Sequence, residues 1–515
     1  MLKTKQPRAE RAAPVPRGGS APLLIALDRR THVPLQRQVY ASIRQTILDG
    51  QLAAGTRLPA SRTLADDLGI SRTTVVLAYE SLRAEGYIIG RGSAGSFVAS
   101  VRDEQPKTRQ ARHVGHVRRT GNPRDAALDT ATQRAVALAT AARGSPNVRA
   151  SAVPFRTGEP ALDLFPVRLW ARLYGRRARR STGALLGYGT DAGHRPLRTA
   201  IASYVSAARG ARATADQVVL VRGTQQGVHL ATSVLLQAGD VAWVEDPGYG
   251  AARTLLGTSG ATIAPIPVDA EGIIVAEGIR RAPHARVAHV SPSHQFPLGH
   301  TMSLARRLML LEWAGNSGAW VLEDDYDSEF RYVGAPIPSL QGLDTRERVI
   351  YLGTFSKTMF PALRLGYLIV PSALVDLFRA TQALVDRIAP SLEHATLAEF
   401  IEDGHFTRHV RRMRAIYAER QDALLRGIRR ELDGLADASP TETGMHLVVW
   451  LRDRATDAAR VSRLARDAGI EAAPLSRYAV SAPLPPGLLL GFAAVKPADM
   501  GPALRTLRQI ITGAG

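Results

Sequence analysis

Cysteine is absent from this chain of 515 residues, so disulfide bonds and thiolate metal sites are excluded. No stretch approaches the about 18 consecutive apolar residues that a membrane span requires. The basic N-terminus is not followed by the apolar run that a secretory signal needs. These absences predict a cytoplasmic protein with no membrane partner.

Positive charge is in clear excess. Lysine and arginine number 66 against 46 aspartates and glutamates, which gives a formal net charge of +20. Such a surplus suits a polyanionic partner such as nucleic acid. Arginine spread evenly over solvated surfaces would give the same total, so only local patterns can distinguish the two interpretations.

The chain changes character three times along its length. Residues 1–30 are rich in Pro, Gly, Ala and Arg and predict a disordered basic arm. Residues 31–100 form a compact patterned block, and residues 101–150 are polar and basic, as in a flexible linker. In residues 151–515, short β-branched runs alternate with amphipathic helices, which predicts an α/β domain with a mainly parallel sheet. The candidate strands are QVVLV, DVAWVED, ARVAHVSP, GAWVLEDDY and VIYLGTF.

The patterned block at residues 31–100 contains two short helices with recognisable ends. Ser61 is a candidate cap for the first helix, Gly69 suits its left-handed end, and Ser71 is a candidate cap for the second. Two short helices joined in this way form a helix-turn-helix. The following GYIIGRGSAGSFVA predicts two short strands around a turn, which is typical of a wing.

The start of the second helix is the candidate DNA-reading surface, because a helix-turn-helix presents these residues to the major groove. They are Ser71, Arg72, Thr73 and Thr74. Arginine binds guanine through two hydrogen bonds, and hydroxyl groups at a helix N-terminus suit phosphate. Arg62 and Arg91 are candidates for contacts to the DNA backbone. The alternative is a small helical subdomain whose arginines are merely exposed.

The run LPASRTLADDLGISRTTVVLAYESLRAEGYI follows the pattern of GntR-type winged helix-turn-helix domains almost without gaps. Residues 32–99 therefore resemble that family. The resemblance implies binding to double-stranded operator DNA. It also implies a homodimer on repeated half-sites, since these domains usually act in pairs.

Lys357 lies within the largely apolar run YLGTFSKTMFPALRLGYLIV. A desolvated lysine has a lowered pKa, and its neutral amine can attack a carbonyl group. Thr354 offers a hydroxyl, and Arg364 offers a charged fork for a phosphate. Pyridoxal 5′-phosphate combines a carbonyl with a phosphate and requires a carboxylate at its pyridine nitrogen. Because most lysines are ordinary surface charges, this hypothesis depends on the rest of the chain.

Three further segments supply groups that such a cofactor needs. Asp324 ends a candidate strand, where ligand sites lie in parallel sheets, and Tyr326 could hydrogen-bond the ring's phenolic oxygen. Gly223 and Thr224 join a strand to a helix whose free N–H groups could hold phosphate. Tyr249 follows another strand and could stack on the ring. A solvated acidic loop, an ordinary turn and a core tyrosine are the respective alternatives.

From residue 152 to the C-terminus, the chain resembles the class I aminotransferase branch of fold-type I pyridoxal-phosphate enzymes. Joined to the GntR-like block, and with SPSHQFPLG and EDDYDSEFRY, the whole chain resembles the MocR family of transcription regulators. The resemblance implies that Lys357 forms the aldimine, Asp324 meets the pyridine nitrogen, Tyr326 lies near the phenolic oxygen, and Thr354 and Arg364 hold phosphate. The segment PLSRYAV resembles the one that receives an effector carboxylate, which makes Arg477 the candidate residue.

Two positions depart from the aminotransferase pattern. Phe296 stands where those enzymes usually have an asparagine, and LLLGFAAV lacks their C-terminal arginine. Both departures are MocR-like and weigh against efficient turnover more than against cofactor binding.

Three functions are compatible with the sequence. The first is a DNA-binding regulator that binds pyridoxal phosphate and senses an amine, an amino acid or pyridoxal phosphate itself. The second is an active aminotransferase with a DNA-binding appendage, and the third is a regulator with an empty structural domain. The intact pair of Lys357 and Asp324 argues against the third. The first is our main hypothesis.

Overall fold

The computed structural model describes residues 33–90, 95–99, 153–187, 193–334, 337–386 and 390–514, with five residues between 23 and 31. The chain divides into two compact units, residues 1–122 and 123–515. Most of the predicted basic arm, the predicted linker at 101–150 and Arg91 lie outside the described residues.

The first unit is a winged helix-turn-helix. Its elements are α1 (Leu35–Leu48), α2 (Ser61–Leu68), α3 (Arg72–Ala84), β1 (Ile88–Gly90) and β2 (Ser96–Val98). The two strands pair antiparallel, with Ile88 opposite Val98. The three helices and both strands share one core that includes Val39, Ile43 and Val75. Apolar residues repeat along α1 and α3 at helical spacing, so each helix buries one face in this core.

One of the two predicted helix caps is confirmed and the other is wrong. Ser71 precedes α3, and its Oγ accepts a hydrogen bond from the backbone N–H of Thr74 at 3.2 Å. Gly69 has a φ of +60° and ends α2 in the left-handed conformation. Ser61 is the first residue of α2, whereas the capping position belongs to Ala60 in an extended conformation without a side-chain cap. The helix thus begins one residue too early for the Ser61 hydroxyl to cap it.

The second unit is built on a sheet of eight strands in the order β3-β10-β9-β8-β7-β4-β5-β6. The strands are β3 (Val218–Val221), β4 (Val241–Asp246), β5 (Thr262–Asp269), β6 (Gly272–Ile273), β7 (Val287–Val290), β8 (Trp320–Asp325), β9 (Val349–Thr354) and β10 (Gly366–Ile369). Strands β5, β4, β7, β8 and β9 are parallel neighbours, and β10 lies antiparallel between β9 and β3. All five candidate strands are present, and the predicted α/β fold with a mainly parallel sheet is confirmed.

Helices cover both faces of this sheet. They are α4 (Val167–Arg179), α5 (Gly183–Leu186), α6 (Arg195–Arg209), α7 (Thr224–Leu235), α8 (Gly250–Gly257), α9 (Val275–Arg281), α10 (Leu304–Ser317), α11 (Leu340–Leu343), α12 (Val375–Val385), α13 (Ser391–Glu402) and the long α14 (His405–Glu431). Ile201 of α6 and Tyr351 belong to one core, whereas Val228 of α7 and Leu352 belong to another. Neighbouring residues of β9 therefore point to opposite faces, and both faces are buried.

A second, smaller sheet follows α14, and the sequence analysis did not predict it. Its strands are β11 (Ala436–Ala438), β12 (His446–Leu451), β13 (Ala473–Pro474) and β14 (Gly487–Gly491), antiparallel in the order β11-β12-β14-β13. Helices α15 (Ala458–Asp467) and α16 (Pro497–Ala514) complete this part. Of the helices that the structure describes, none combines the length and apolar character needed to cross a bilayer.

The parallel arrangement fixes where a ligand site can form. Strand β3 runs in the same direction as β9, because β10 is antiparallel to both. The carboxyl ends of β3, β4, β7, β8 and β9 therefore lie along one edge of the large sheet. Ligands of open α/β sheets bind at this edge.

Replacement of Ser71 by alanine is expected to destabilise α3 by about 1 kcal/mol, because one N–H group at the helix start loses its acceptor. Hydrogen exchange of the α3 amides in the full chain measures this effect. Ser61→Ala is the matched control, since Ser61 lies inside α2 without a capping bond. Equal acceleration of exchange in both variants would show that the Ser71 cap does not stabilise the unit.

Candidate functional site

Asp324 lies at the carboxyl end of β8, beside Leu352 of the neighbouring strand β9. Its side chain is buried, with Oδ2 at 3.5 Å from Nε2 of His289. Its Oδ1 has no hydrogen-bond partner among the described residues. An unpaired buried carboxylate oxygen costs free energy, and a ligand N–H group would remove that cost.

Two buried polar residues that the sequence analysis missed extend from Asp324 across the sheet. His289 of β7 lies beside Val244 of β4, and the next residue of β4 is Glu245. Burial raises the pKa of Glu245 to about 7, and the nearby His289 works in the opposite direction. His289 therefore lies between two buried carboxyl groups. The sequence signal that could have identified them was one polar residue within an otherwise apolar strand candidate: His289 in ARVAHVSP and Glu245 in DVAWVED.

Lys357 follows β9, and its Nζ donates a hydrogen bond to the carbonyl oxygen of Gly158 at 2.7 Å. Burial lowers the pKa of the Lys357 amine, although the carboxylates of Asp327, Asp324 and Glu159 oppose this shift. Gly158 has a φ of +70°, and a Cβ there would lie 2.6 Å from Nζ. Because glycine has no side chain, Gly158 leaves space for the Lys357 amine.

Tyr326 is positioned by the hydrogen-bonded pair of His294 and Asp327. Its hydroxyl donates to the carbonyl oxygen of His294 at 2.9 Å and lies 3.1 Å from Nδ1 of the same residue. That Nδ1 is 3.0 Å from both carboxylate oxygens of Asp327. The rings of His446 and His294 are tilted by 35°, with centroids 4.7 Å apart. One ring nitrogen of each histidine and one carboxylate oxygen of Asp327 lie within 4.8 Å of one another. The hydrogen bond between His294 and Asp327 accounts for this cluster and fixes the ring that positions Tyr326.

The start of β10 brings the proposed phosphate-binding segments together. Gly366 pairs with Thr354 of β9 on one side and with Val221 of β3 on the other. A Cβ on Gly366 would lie only 2.9 Å from Cα of Gly223, so the two backbones are in close contact. Arg364 precedes Gly366 by two positions and is exposed.

The turn at Gly223 leaves a helix start open. Gly223 has a φ of +96°, and a Cβ there would meet no atom within 4 Å. Helix α7 begins at Thr224 without a side-chain cap, so its first N–H groups can serve an anion. The geometry is that of an anion cradle between β3, β9 and β10.

Aromatic side chains surround the same edge. The Tyr249 hydroxyl, just before α8, accepts a hydrogen bond from Nε2 of Gln225 at 3.3 Å. Phe296 packs edge-on against Tyr249, with ring centroids 5.9 Å apart, and against Tyr478 at 4.9 Å. Its ring centroid also lies 6.3 Å from that of Tyr326. Phe296 therefore contributes apolar packing where aminotransferases usually have an amide.

Asp246, at the end of β4, joins the large sheet to the segment after Arg477, and the sequence analysis missed it. Its buried carboxylate accepts hydrogen bonds of 2.7–2.9 Å from the N–H groups of Val480, Ser481 and Ala482 and from the Ser481 hydroxyl. The N–H of Gly248 also donates to the carbonyl of Tyr478 at 3.0 Å. We call the contact between Asp246 and residues 480–482 the Asp246 clasp. The clasp therefore connects the segment that follows the exposed Arg477 to the loop that contains Tyr249.

In the first unit, the predicted DNA-reading residues lie at the exposed start of α3. Arg72 and Thr73 are exposed, as is Arg62 on α2. The hydroxyls of Ser71 and Thr74 are 2.8 Å apart and take part in the helix cap. Arg72 and Thr73 are therefore the better candidates for direct contacts, and Arg91 lies outside the described residues.

Two protein families match the two units. Residues 35–98 match the family of bacterial regulatory proteins of the gntR type, and residues 152–507 match aminotransferase class I and II. The second match covers more than half of the chain. Its fold is that of pyridoxal-phosphate-dependent enzymes, which implies that the second unit binds this cofactor.

Similar proteins combine the same two parts. The "Probable rhizopine catabolism regulatory protein MocR" of Rhizobium meliloti is 39% identical over 486 residues, covering 94% of this chain and 95% of the relative. The "HTH-type pyridoxine biosynthesis transcriptional regulator PdxR" of Corynebacterium glutamicum is 28% identical over 92% of this chain and 95% of its own length.

Solved structures show the same fold in the second unit. The multiple substrate aminotransferase from Thermococcus profundus is 27% identical, with a TM-score of 0.64, over 74% of this chain and 94% of that one. The kynurenine aminotransferase of Pyrococcus horikoshii superposes with a TM-score of 0.65 at 24% identity, over 76% of this chain and 97% of that one. With its gntR-type unit and its aminotransferase unit in one chain, the protein belongs to the MocR family of transcriptional regulators.

Proposed function

We propose that this regulator holds pyridoxal 5′-phosphate covalently at Lys357 and senses an amine, an amino acid or the cofactor itself at that site. The observation that carries the proposal is the pairing of a lysine of lowered pKa with the buried Asp324, whose Oδ1 has no partner among the described residues. The first group suits a carbonyl, and the second suits a protonated ring nitrogen. An unpaired acceptor and a desolvated amine are costly unless a ligand uses them.

Each remaining group has a role in the proposed site. Bound pyridoxal phosphate supplies an electrophilic carbonyl and an electron-poor ring. Asp324 would hold a proton at the ring nitrogen, the Tyr326 hydroxyl would lie near the phenolic oxygen, and Tyr249 would pack on the ring. Gly223, Thr224, Thr354 and Arg364 hold the phosphate in the cradle between β3, β9 and β10.

The chain's own chemistry favours exchange at Lys357. Because burial lowers the pKa of Lys357, a larger fraction of this amine is neutral near pH 7 than for an exposed lysine. A ligand amine can compete with it for the same carbonyl, and in this proposal Arg477 receives the ligand's carboxylate. Release of Lys357 changes regulation only if the ligand binds two arrangements of the protein with different affinities.

The first unit provides the output in this proposal. Arg72 reads guanine in the major groove, Thr73 and the start of α3 contact phosphate, and Arg62 contacts the DNA backbone. A homodimer would present two recognition helices to two half-sites. The relative named for pyridoxine biosynthesis supports pyridoxal phosphate as one possible signal, whereas an amine or amino acid remains the other.

Lys357→Ala is expected to abolish covalent retention of the cofactor, because the other lysine among the described residues, Lys496, is exposed beside Asp163. Purified protein incubated with pyridoxal phosphate and then reduced with borohydride is examined by peptide mass spectrometry. The control is Lys496→Ala, which removes an exposed lysine near Asp163. Retention of label by the Lys357 variant, at the wild-type level, would refute the assignment. Sustained keto acid production by the wild type would instead support the aminotransferase alternative.

Arg72→Ala is expected to weaken operator binding by about 1–3 kcal/mol and to relax sequence preference, because a guanine loses its bidentate partner. Binding to the operator and to variants with single base changes is measured at one fixed salt concentration. Arg37→Ala removes an exposed arginine from α1 and serves as the control. Arg72 does not read sequence if both variants lose affinity equally for every DNA.

Asp246→Ala is expected to release residues 480–482 and to reduce the affinity for the carboxylate-bearing effector while covalent cofactor retention persists. Amide exchange at Val480, Ser481 and Ala482 should accelerate about tenfold or more, since several charge-assisted bonds are lost together. Ser481→Ala removes one of the four bonds and should have a smaller effect. Unchanged exchange at these amides would mean that the clasp does not restrain the segment.

A further inference from the structure

A second cavity of the large unit lies away from the proposed cofactor site. Its volume is about 240 Å³, and it lies between α6, the loop after β8 and α14. Residues that line it include Tyr204, Arg209, Glu329, Arg331, Arg411 and Arg414. None of the residues proposed to hold pyridoxal phosphate contributes to its lining.

Positive charge dominates this cavity. Two of its arginines are paired, Arg209 with Asp325 at 2.8 Å and Arg331 with Glu442 at 2.9 Å. Arg411 is exposed and takes part in no ion pair among the described residues. Arg414 donates to the backbone carbonyl of Glu329 and so neutralises no acid.

The remaining acid on the lining carries a reduced negative charge. Burial and the nearby Asp325 raise the pKa of Glu329 to about 7, and the Tyr204 hydroxyl donates to its carboxylate at 3.0 Å. Four guanidinium groups and one carboxyl group, that of Glu329, therefore line the cavity, and Asp325 and Glu442 each pair with one of these arginines from outside the lining. An anion in the cavity would relieve the repulsion among the arginines.

Two buried polar atoms beside the cavity also lack partners. A small recess adjoins it and is lined by Arg209, Arg331 and Thr443, among others. Nε of Arg331 and Oγ1 of Thr443 have no hydrogen-bond partner among the described residues, and Thr443 is 1% exposed. The recess itself has room for about one water molecule, so a ligand group would enter from the larger cavity.

We propose that this cavity is a second ligand site, which binds a small molecule through an oxyanion, either a carboxylate or a phosphate. Guanidinium forks recognise such groups through paired, charge-assisted hydrogen bonds. Arg411 and Arg414 reach the site from α14, and Arg331 reaches it from the loop after β8. The unpartnered donors of Arg331 and Thr443 acquire an acceptor when the oxyanion is bound.

The position of the cavity gives the site a consequence for the rest of the unit. Asp324 lies near the end of β8, Tyr326 follows that strand, and Ser328, Glu329 and Arg331 of the same segment line the cavity. Binding at one end of this short segment restrains the groups at the other end. The site is therefore suited to couple the binding of a second small molecule to the occupancy of Lys357. Such coupling requires only that a few hydrogen bonds differ between the protein with Lys357 occupied and the protein with Lys357 free.

The test uses the full chain saturated with pyridoxal phosphate, so that the cradle at Gly223 is already filled. Inorganic phosphate and acetate are titrated separately by calorimetry to distinguish the two oxyanion classes. One saturable site per chain is expected for at least one of them. Arg411→Gln should weaken that binding about tenfold, since a charge-assisted contact is lost.

The matched control is Arg412→Gln, which changes the neighbouring exposed arginine of α14 that does not line the cavity. Arg412→Gln should leave the dissociation constant within about twofold, because Arg412 does not line the cavity. Both variants lose one positive charge, so a difference between them cannot come from net charge. Equal weakening in the two variants, or the absence of saturable binding by either anion, would overturn the proposal.

Hydrogen exchange locates the bound anion without any substitution. Phosphate or acetate should protect the amides of residues 328–331, and protection confined to other segments would contradict the site. Covalent retention of pyridoxal phosphate at Lys357 is measured on the same samples. If the cofactor proposal is wrong, this retention measurement will show it. The anion titration will still report separately on the second site.

Discussion

The burial of acidic side chains in and just after β8 is the constraint on which the large unit depends. Five acids occur within WVLEDDYDSEF: Glu323, Asp324, Asp325 and Asp327 are buried, and Glu329 is half-buried. Four have partners: Glu323 accepts the N–H groups of Leu340 and Gln341, Asp325 binds Arg209 and Tyr351, Asp327 binds His294, and Glu329 accepts from Tyr204. Asp324 has only His289 at 3.5 Å, which leaves it available to a ligand.

Those partners also determine the geometry around Asp324. Because Asp327 orients His294, the Tyr326 hydroxyl is fixed beside the carboxyl end of β8. Because Asp325 holds Arg209, the loop after β8 is anchored to α6 on the opposite side. A loss of either partner would leave a buried charge uncompensated, so the site and the fold are stabilised by the same contacts.

Two sets of contacts within the large unit connect the proposed site to other segments. The Asp246 clasp links the end of β4 to the segment after Arg477 through four hydrogen bonds. The loop after β8 links Asp324 to the arginine-lined cavity. Both connections consist of short, hydrogen-bonded segments, which can favour one of two arrangements when a ligand binds.

The sequence by itself determined the fold of the two units and the strands of the large sheet, and it supplied the residue types of the proposed cofactor site, because these depend on local periodicity and on contiguous motifs. It placed the cap of α2 wrongly, since a helix boundary depends on backbone geometry one residue away. Only the tertiary structure brought Asp246 to Val480 across 234 positions and Lys357 to Gly158 across 199. It also decided which acids near Asp324 have partners and that Arg331 and Arg411 line the same cavity. Contacts of this kind depend on how the strands and crossovers are arranged, and local sequence does not specify that arrangement.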